Sequence, residues 1–260
     1  MPYLQRTVYR VINSLFLSFG FSLVRLNDDF NYPVEFDKQD RLLLESIIKK
    51  QLSMASRERL SATIMACRHV CAMDIAGDFV ECGVWRGGNS IAAADVFKRQ
   101  SCDRTVFLFD TFTGMTEPGE FDANASDGTS ALPEFISSQQ DEYNSWCYAS
   151  IEDVRANFLN FDIDTSRVRL IKGDILNTLE NTDNLPDKIS VLRLDTDWFE
   201  STKKELEVLW PRLVKGGVLL IDDYGHWQGA RKAVDEFFIG SDRPFFSYTD
   251  YTGRIAVKAE

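Results

Sequence analysis

At 260 residues, with 44% hydrophobic and 12% aromatic content, the chain has the length and composition of one α/β domain with a full core, and no composition shift calls for a second. Forty acidic residues against 29 basic ones leave a net charge of −11, which argues against nucleic acid or an anionic membrane as the main partner. The five cysteines, Cys67, Cys71, Cys82, Cys102 and Cys147, form no CxxC pair; they read as reduced core residues of a cytoplasmic protein, and with two histidines they supply no zinc set.

In chain order, the first segment is YRVINSLFLSFGFSLVRL, residues 9–26, whose apolar residues are interrupted by Asn13, Ser14, Ser18 and Ser22 and flanked by Arg6, Arg10 and Arg25. It is too short and too polar for stable membrane insertion, so an amphipathic helix that docks or meets a partner chain is expected, with a homo-oligomer as the assembly. Residues 37–52 and 56–74 repeat apolar positions every three to four residues and predict two helices, the second capped by Ser56 or Ser53 without a capping box. Residues 1–50 are therefore expected to form a helical extension and 51–260 the main domain.

From residue 78 the rhythm changes. Short β-type runs at 78–84, 105–110, 167–174, 188–195 and 217–222 alternate with helical patterns, which implies right-handed crossovers and a mostly parallel sheet covered by helices on both faces. The last run, FFSYTDYTGRIAVK, predicts an antiparallel hairpin at the sheet edge. Residues 112–146 break the alternation: acidic, rich in Gly, Ser, Asn and Asp, and weakly periodic, they predict a lid over the site, with a plain surface insertion as the alternative.

In doubly wound sheets ligands bind beyond the carboxyl ends of the strands, so the strand tips carry the chemistry. The first strand ends in VECGVWRGGNS, where Glu81, Gly83, Val84, Gly87 and Ser90 are candidate cofactor contacts at a glycine-bearing turn that opens a helix. This is not GxGxxG. The second strand ends in Asp110, an acid placed to hydrogen-bond a ribose diol about 20 to 30 residues past that turn. The pair fits either a dinucleotide or an adenosyl ligand, which keeps an NAD(P)-dependent oxidoreductase as the rival activity. Asp174, ending the third strand, either reaches an adenine amino group or caps the next helix.

The fourth strand ends LRLDTDW and the fifth LLIDDY. If they are neighbours about 4.8 Å apart, Asp195 and Asp222 or Asp223 aim at one point. Unit charges about 4 Å apart repel by about 4 kcal/mol per pair at an effective dielectric near 20. The crowding needs an offset: shared protons, or a divalent cation with hard oxygen ligands, Mg²⁺ first and Ca²⁺ or Mn²⁺ next. The cation is the preferred reading; a turn and a helix cap is the bland one.

The stretches GDFVECGVWRGGNS, DTFTGM, LRLDTDWFESTKKELEVLWPRLVKGGVLLIDDY and ARKAVDEFF together resemble the TylF/MycF-type (macrocin) O-methyltransferases over about residues 50–240. The resemblance implies a class I methyltransferase fold, a Rossmann-like seven-stranded sheet with one antiparallel strand, S-adenosylmethionine as cofactor, and Mg²⁺ held by Asp195, Asp222 and Asp223. It implies transfer to a hydroxyl of a sugar-bearing small molecule, with a small phenol or catechol as the alternative acceptor. Asp195 is the expected general base, with Asp197 or His226 as rivals, and Trp85, Trp146, Trp198 and Trp227 are candidate walls of an acceptor pocket.

Overall fold

The computed structural model describes residues 12, 14, 16, 18, 32–240 and 243–259. The amphipathic helix expected over residues 9–26 falls almost entirely outside these. The chain divides into two compact units, Met1–Lys38 and Gln39–Glu260, and the helix α1 (Lys38–Lys49) lies almost wholly in the larger unit. The second expected helix is α2 (Arg57–Ala72), whose N-cap Ser56 accepts a hydrogen bond from the Arg59 N–H.

Seven strands follow: β1 (Asp78–Cys82), β2 (Val106–Asp110), β3 (Val168–Lys172), β4 (Ile189–Leu194), β5 (Leu213–Ile221), β6 (Ser247–Tyr248) and β7 (Arg254–Val257). They form one sheet in the order β3-β2-β1-β4-β5-β7-β6. Neighbours from β3 through β5 are parallel, whereas β7 runs antiparallel to both β5 and β6. This is the expected sheet with a single reversed strand. β5 starts four residues before the apolar run, at Leu213, because a bulge shifts its pairing from Ile189↔Leu213 to Val191↔Val218.

The crossover helices are α3 (Gly88–Arg99), α5 (Ile151–Leu159), α6 (Ile175–Thr178), α7 (Phe199–Leu209) and α8 (Gln228–Phe237), with α4 (Leu132–Ser137) inside the expected lid. Strand alternation assigns the two sheet faces. Val80, Cys82, Phe107, Phe109, Leu192, Leu194, Leu219 and Ile221 share one core with Ile175, Leu206, Leu209 and Val234 from α6, α7 and α8. The intervening residues of β1 and β4 face α2 and α3: Phe79 meets Phe97 edge-on at 6.4 Å, and Glu81 accepts from Ser90. Buried on both faces, β4 is buried at every position, including Ser190 and Arg193.

The site is thus built at the carboxyl ends of β1, β2, β4 and β5. Beneath the β4 tip lies a second buried acid, Glu205 of α7, fully buried and accepting from Thr196 Oγ1 at 2.7 Å, with no partner on Oε2. Burial, opposed by the Thr196 hydrogen bond, pushes its carboxyl up to about 8. The folded chain therefore keeps a proton that the unfolded chain releases from its ordinary 4.5, and stability is lost as pH rises from that value to about 8. Glu205→Gln, which keeps an acceptor for Thr196, is expected to match the parent in urea denaturation near pH 5 and to exceed it by about 1–3 kcal/mol near pH 8.5. A difference that does not change with pH would show that this carboxyl is ionised in the fold.

Candidate active site

The β1 tip turns at Gly83, whose φ is +83°. A side chain there would overlap the Asp195 carbonyl oxygen, so glycine is required where the β1 and β4 tips cross. Asp110, at the β2 tip, holds the turn from the other side. Its Oδ2 accepts from the Val84 and Trp85 N–H groups at 2.7 and 3.0 Å, and its Oδ1 from Phe112 N–H at 2.7 Å. Burial raises its carboxyl and these backbone donors oppose the rise. The strand-two acid thus first shapes the glycine turn, while still lining the cavity a nucleoside would enter.

At the neighbouring tips of β4 and β5, Asp222 N–H donates to Leu194 O at 2.9 Å. Asp195, Asp222 and Asp223 each place a carboxylate oxygen within 4.8 Å of the others, the convergence expected of adjacent strands. The expected offsets, protons or a cation, prove incomplete, because two arginines also reach the cluster. Arg193 is 2% exposed and bonds Glu81 Oε1 at 2.9 Å, Asp195 Oδ2 at 2.5 Å and Asp222 Oδ1. It pairs in register with Glu81 on β1, and period-two alternation puts it on the same side of β4 as Asp195. Arg59, from α2, pairs with Asp222 Oδ2 and, through Nε at 2.9 Å, with Asp250 Oδ2.

Two guanidiniums do not neutralise this site. They pair directly with Glu81, Asp195, Asp222 and Asp250, and leave Asp197 and Asp223 without an ion pair among the described residues, Asp223 feeling Arg59 only through space. Burial and then Asp197, Asp195 and Asp222 drive the Asp223 carboxyl well above its usual range. Its Oδ2 is buried with no hydrogen-bond partner. Burial, against the pull of Arg193, likewise raises Asp195 and lifts Glu81 to about 8. An orphaned carboxylate oxygen beside two more, with no imidazole or thiolate, is a donor set that suits a hard divalent ion such as Mg²⁺.

Asp197 and His226 stand at the edge of this cluster and both line the cavity. Asp197 has a left-handed backbone, φ +68°, which is strained for a residue with a side chain; Trp227 Nε1 donates to its Oδ1 at 2.8 Å. Burial and then Asp222 push its carboxyl up to about 7. His226 Nδ1 lies 3.3 Å from the Tyr251 hydroxyl; burial and then Arg59 lower its pKa.

The cavity, about 480 Å³, runs from the β1 turn to these acids. Residues of the 112–146 segment line one side of it, and the segment is pinned to the domain. Asp122 Oδ1 accepts from Phe199 N–H at 2.8 Å and so caps α7, and a side chain on Gly229 would overlap that oxygen. Ala125 N–H donates to His226 O and Gln228 N–H to Ala123 O. Trp146 and Trp227 line the cavity, as does Trp85, whereas Trp198 is buried, with Nε1 donating to Thr116 O at 3.0 Å. Trp146, Trp198 and Trp227 pack edge to face, centroids 5.0–6.1 Å apart.

Glu81, Gly83, Val84, Asp110, Asp195, Asp197, Asp222, Asp223 and His226 all line this one cavity. Gly87, Ser90 and Asp174 do not. Gly87 takes φ +87° and packs on Phe158 and Val154 as the N-cap of α3, and Gly88 faces the cavity instead. Ser90 is buried behind Glu81, which it holds. Asp174 spends Oδ1 on the Leu176 N–H as a helix cap, while Gly173 and Ile175 line the cavity. Arg193 was missed although its signal was present: a lone arginine inside a core strand, two residues before an acid on the same face. Arg59, Asp250 and Asp122 had no local signal.

Comparison with known proteins places the chain in a family and a fold. Residues 21–242 match the family described as Macrocin-O-methyltransferase (TylF). The chain is 35% identical over 186 residues to a demethyldecarbamoylnovobiocin O-methyltransferase of Streptomyces niveus, covering 71% of this chain and 67% of that one. It is also 35% identical over 209 residues to an 8-demethyl-8-(2,3-dimethoxy-alpha-L-rhamnosyl)-tetracenomycin-C 4'-O-methyltransferase of Streptomyces olivaceus, covering 80% and 76%. Among solved structures, the O-methyltransferase NovP superposes with a TM-score of 0.69 at 29% identity over 80% of this chain and 83% of that chain. A Bacillus cereus O-methyltransferase in complex with SAH shares the fold, with a TM-score of 0.52 at 12% identity over 89% and 96%.

Arg193→Met keeps the apolar stem and leaves Glu81, Asp195 and Asp222 without their shared cation. A loss of about 3–5 kcal/mol in urea denaturation at neutral pH is expected. A loss under about 1 kcal/mol would show that the acids are balanced without it.

Proposed function

Because the chain belongs to the TylF macrocin-O-methyltransferase family, and is an S-adenosylmethionine-dependent O-methyltransferase, we propose that it methylates a hydroxyl on a sugar of a glycosylated small molecule, with Mg²⁺ as cofactor. The family removes the NAD(P)-dependent oxidoreductase from consideration. The observation that carries the reading is the convergence, in one cavity, of the Asp110-braced glycine turn with the Asp195, Asp222 and Asp223 cluster. Both of the relatives named above act, by their names, on natural-product substrates, one of them rhamnosylated.

Glu81, Gly83, Val84 and Asp110 would hold the cofactor, and Asp195, Asp222 and Asp223 the metal. S-adenosylmethionine supplies an electrophilic sulfonium methyl, and Mg²⁺ supplies Lewis acidity that favours the deprotonated form of a coordinated hydroxyl. The protein's share is largely placement. The β1 turn and the β4 and β5 tips are fixed against each other by Gly83, Arg193 and the strand register, which would hold a cofactor and an acceptor in a fixed mutual placement. The protein would also have to supply a base for the acceptor's hydroxyl proton.

For that base the geometry favours Asp197 over Asp195. Asp195 is tied to Arg193 and belongs to the metal set, whereas Asp197 has no guanidinium on it and is aimed by Trp227 Nε1 and its strained backbone. Asp122 and the 123–125 backbone hold the lid over His226 and Trp227, shielding this side of the cavity from water.

The test is methyl transfer from labelled cofactor to a panel of deoxysugar-bearing natural products and simple catechols. Transfer to the glycosylated acceptors, abolished by EDTA and restored by Mg²⁺, is expected. Asp222→Asn is expected to lower turnover by about 100-fold or more while the cofactor Kd moves by less than about threefold. Full turnover in chelator would remove the metal, and transfer to catechols alone would remove the sugar.

A further inference from the structure

We infer that Arg59 is a displaceable counter-ion of the acid cluster: it holds Asp222 when no divalent cation does, and withdraws to Asp250 when one enters, so that Arg59 and Asp250 together set the cation affinity of the site. The inference rests on the metal reading above.

The two arginines at the cluster differ in what they can do. Arg193 rises from the core strand β4, is 2% exposed, and is enclosed by Glu81, Asp195 and Asp222; it has no room to leave. Arg59 comes from α2, lines the cavity, and has a side chain 13% exposed. It holds two carboxylates through different nitrogens, Asp222 through Nη1 and Asp250 through Nε. Asp222 has both oxygens engaged, Oδ1 by Arg193 and Oδ2 by Arg59, whereas Asp223 Oδ2 is buried with no partner. A cation bridging these carboxylates has to share Asp222 with a guanidinium, and of the two only Arg59 has somewhere to go.

That second partner is in place independently of Arg59. Asp250 Oδ1 accepts from the Thr252 and Gly253 N–H groups at 3.0 and 2.6 Å, and Oδ2 accepts from Ser56 Oγ at 2.6 Å. The turn that carries Asp250 is also fixed to the cluster, because Thr252 Oγ1 donates to the Asp222 carbonyl at 2.7 Å. The same turn leaves room for the Arg59 stem: a Cβ on Gly253 would sit 2.9 Å from Arg59 Cγ. A charged arm thus rests between a site anion and a pre-organised acceptor outside the metal set.

A purely structural ion pair makes the opposite prediction for cation binding. Removing a structural arginine loosens the site and weakens the ion, whereas removing a competing positive charge strengthens it. Mn²⁺ titration by calorimetry, without cofactor or acceptor, separates them. Arg59→Met is expected to bind Mn²⁺ about tenfold or more tightly than the parent, Arg59→Lys within about threefold of it, and Asp250→Asn about threefold or more weakly, since Arg59 then stays on Asp222. Affinity unchanged or weaker in Arg59→Met overturns the inference while leaving the metal reading intact. If Arg59→Met does not fold, Asp250→Asn decides: weaker binding supports the inference and unchanged binding overturns it. Absence of Mn²⁺ binding in the parent and every variant overturns both, and binding by Arg59→Met alone supports the competition directly.

Discussion

Arg193 lies at the centre of a parallel sheet, between β1 and β5, and bonds three carboxylates on three different strands or strand tips. A guanidinium buried to this degree is tolerated only when its donors are matched, because desolvating an unpaired charge costs several kcal/mol. The planar fork of arginine serves Glu81 and Asp195 from Nη1 and Asp222 from Nη2, two nitrogens held in fixed geometry. One consequence is mechanical: Glu81 stands on β1 just before the Gly83 turn and the two aspartates belong to the acid cluster, so a single side chain ties the two halves of the cavity together. Another is electrostatic, since the carboxylates are gathered before any ligand arrives.

Around that pair of charges the backbone is held in conformations that open chains avoid. Trp85, Phe112, Cys147 and Asp197 all take positive φ, from 46° to 68°, and all lie at or beside the carboxyl edge of the sheet. Such backbone persists only where the surroundings over-determine it. Here Asp110 bonds the N–H groups of Val84, Trp85 and Phe112, and Trp227 bonds Asp197. The 112–146 segment is part of the same scheme: Asp122, 2% exposed, joins it to α7 and lies against Gly229 of α8. A segment that reads as irregular is therefore anchored at its base.

The alternation of strands was legible because β1, β2, β4 and the last five residues of β5 are buried almost throughout and stand out as apolar runs, whereas β3, at the sheet edge, is buried only at Ile171. The acids at the tips were legible for the same reason, as abrupt changes from apolar to charged. Asp174 shows the limit of that reading: a strand-end acid followed by a helix serves either as a cap or as a ligand, and only the position of its Oδ1 on the Leu176 N–H shows it acting as a cap. Gly87 shows another. A glycine in a motif can be needed for φ and for closeness to Phe158 while its neighbour, Gly88, lines the cavity.

By itself the sequence determined the α/β alternation, the reversed last strand, and the presence of Asp195, Asp222 and Asp223 on two tips, because periodicity and strand-end residues are local properties. Tertiary structure decided what balances those charges. Arg59 and Asp250 lie 191 residues apart in sequence, and Arg193 meets Glu81 from 112 residues away; no local pattern encodes such a pairing. It exists only once β1, β4 and β5 lie side by side, with α2 packed across one face to bring a second guanidinium to the same point.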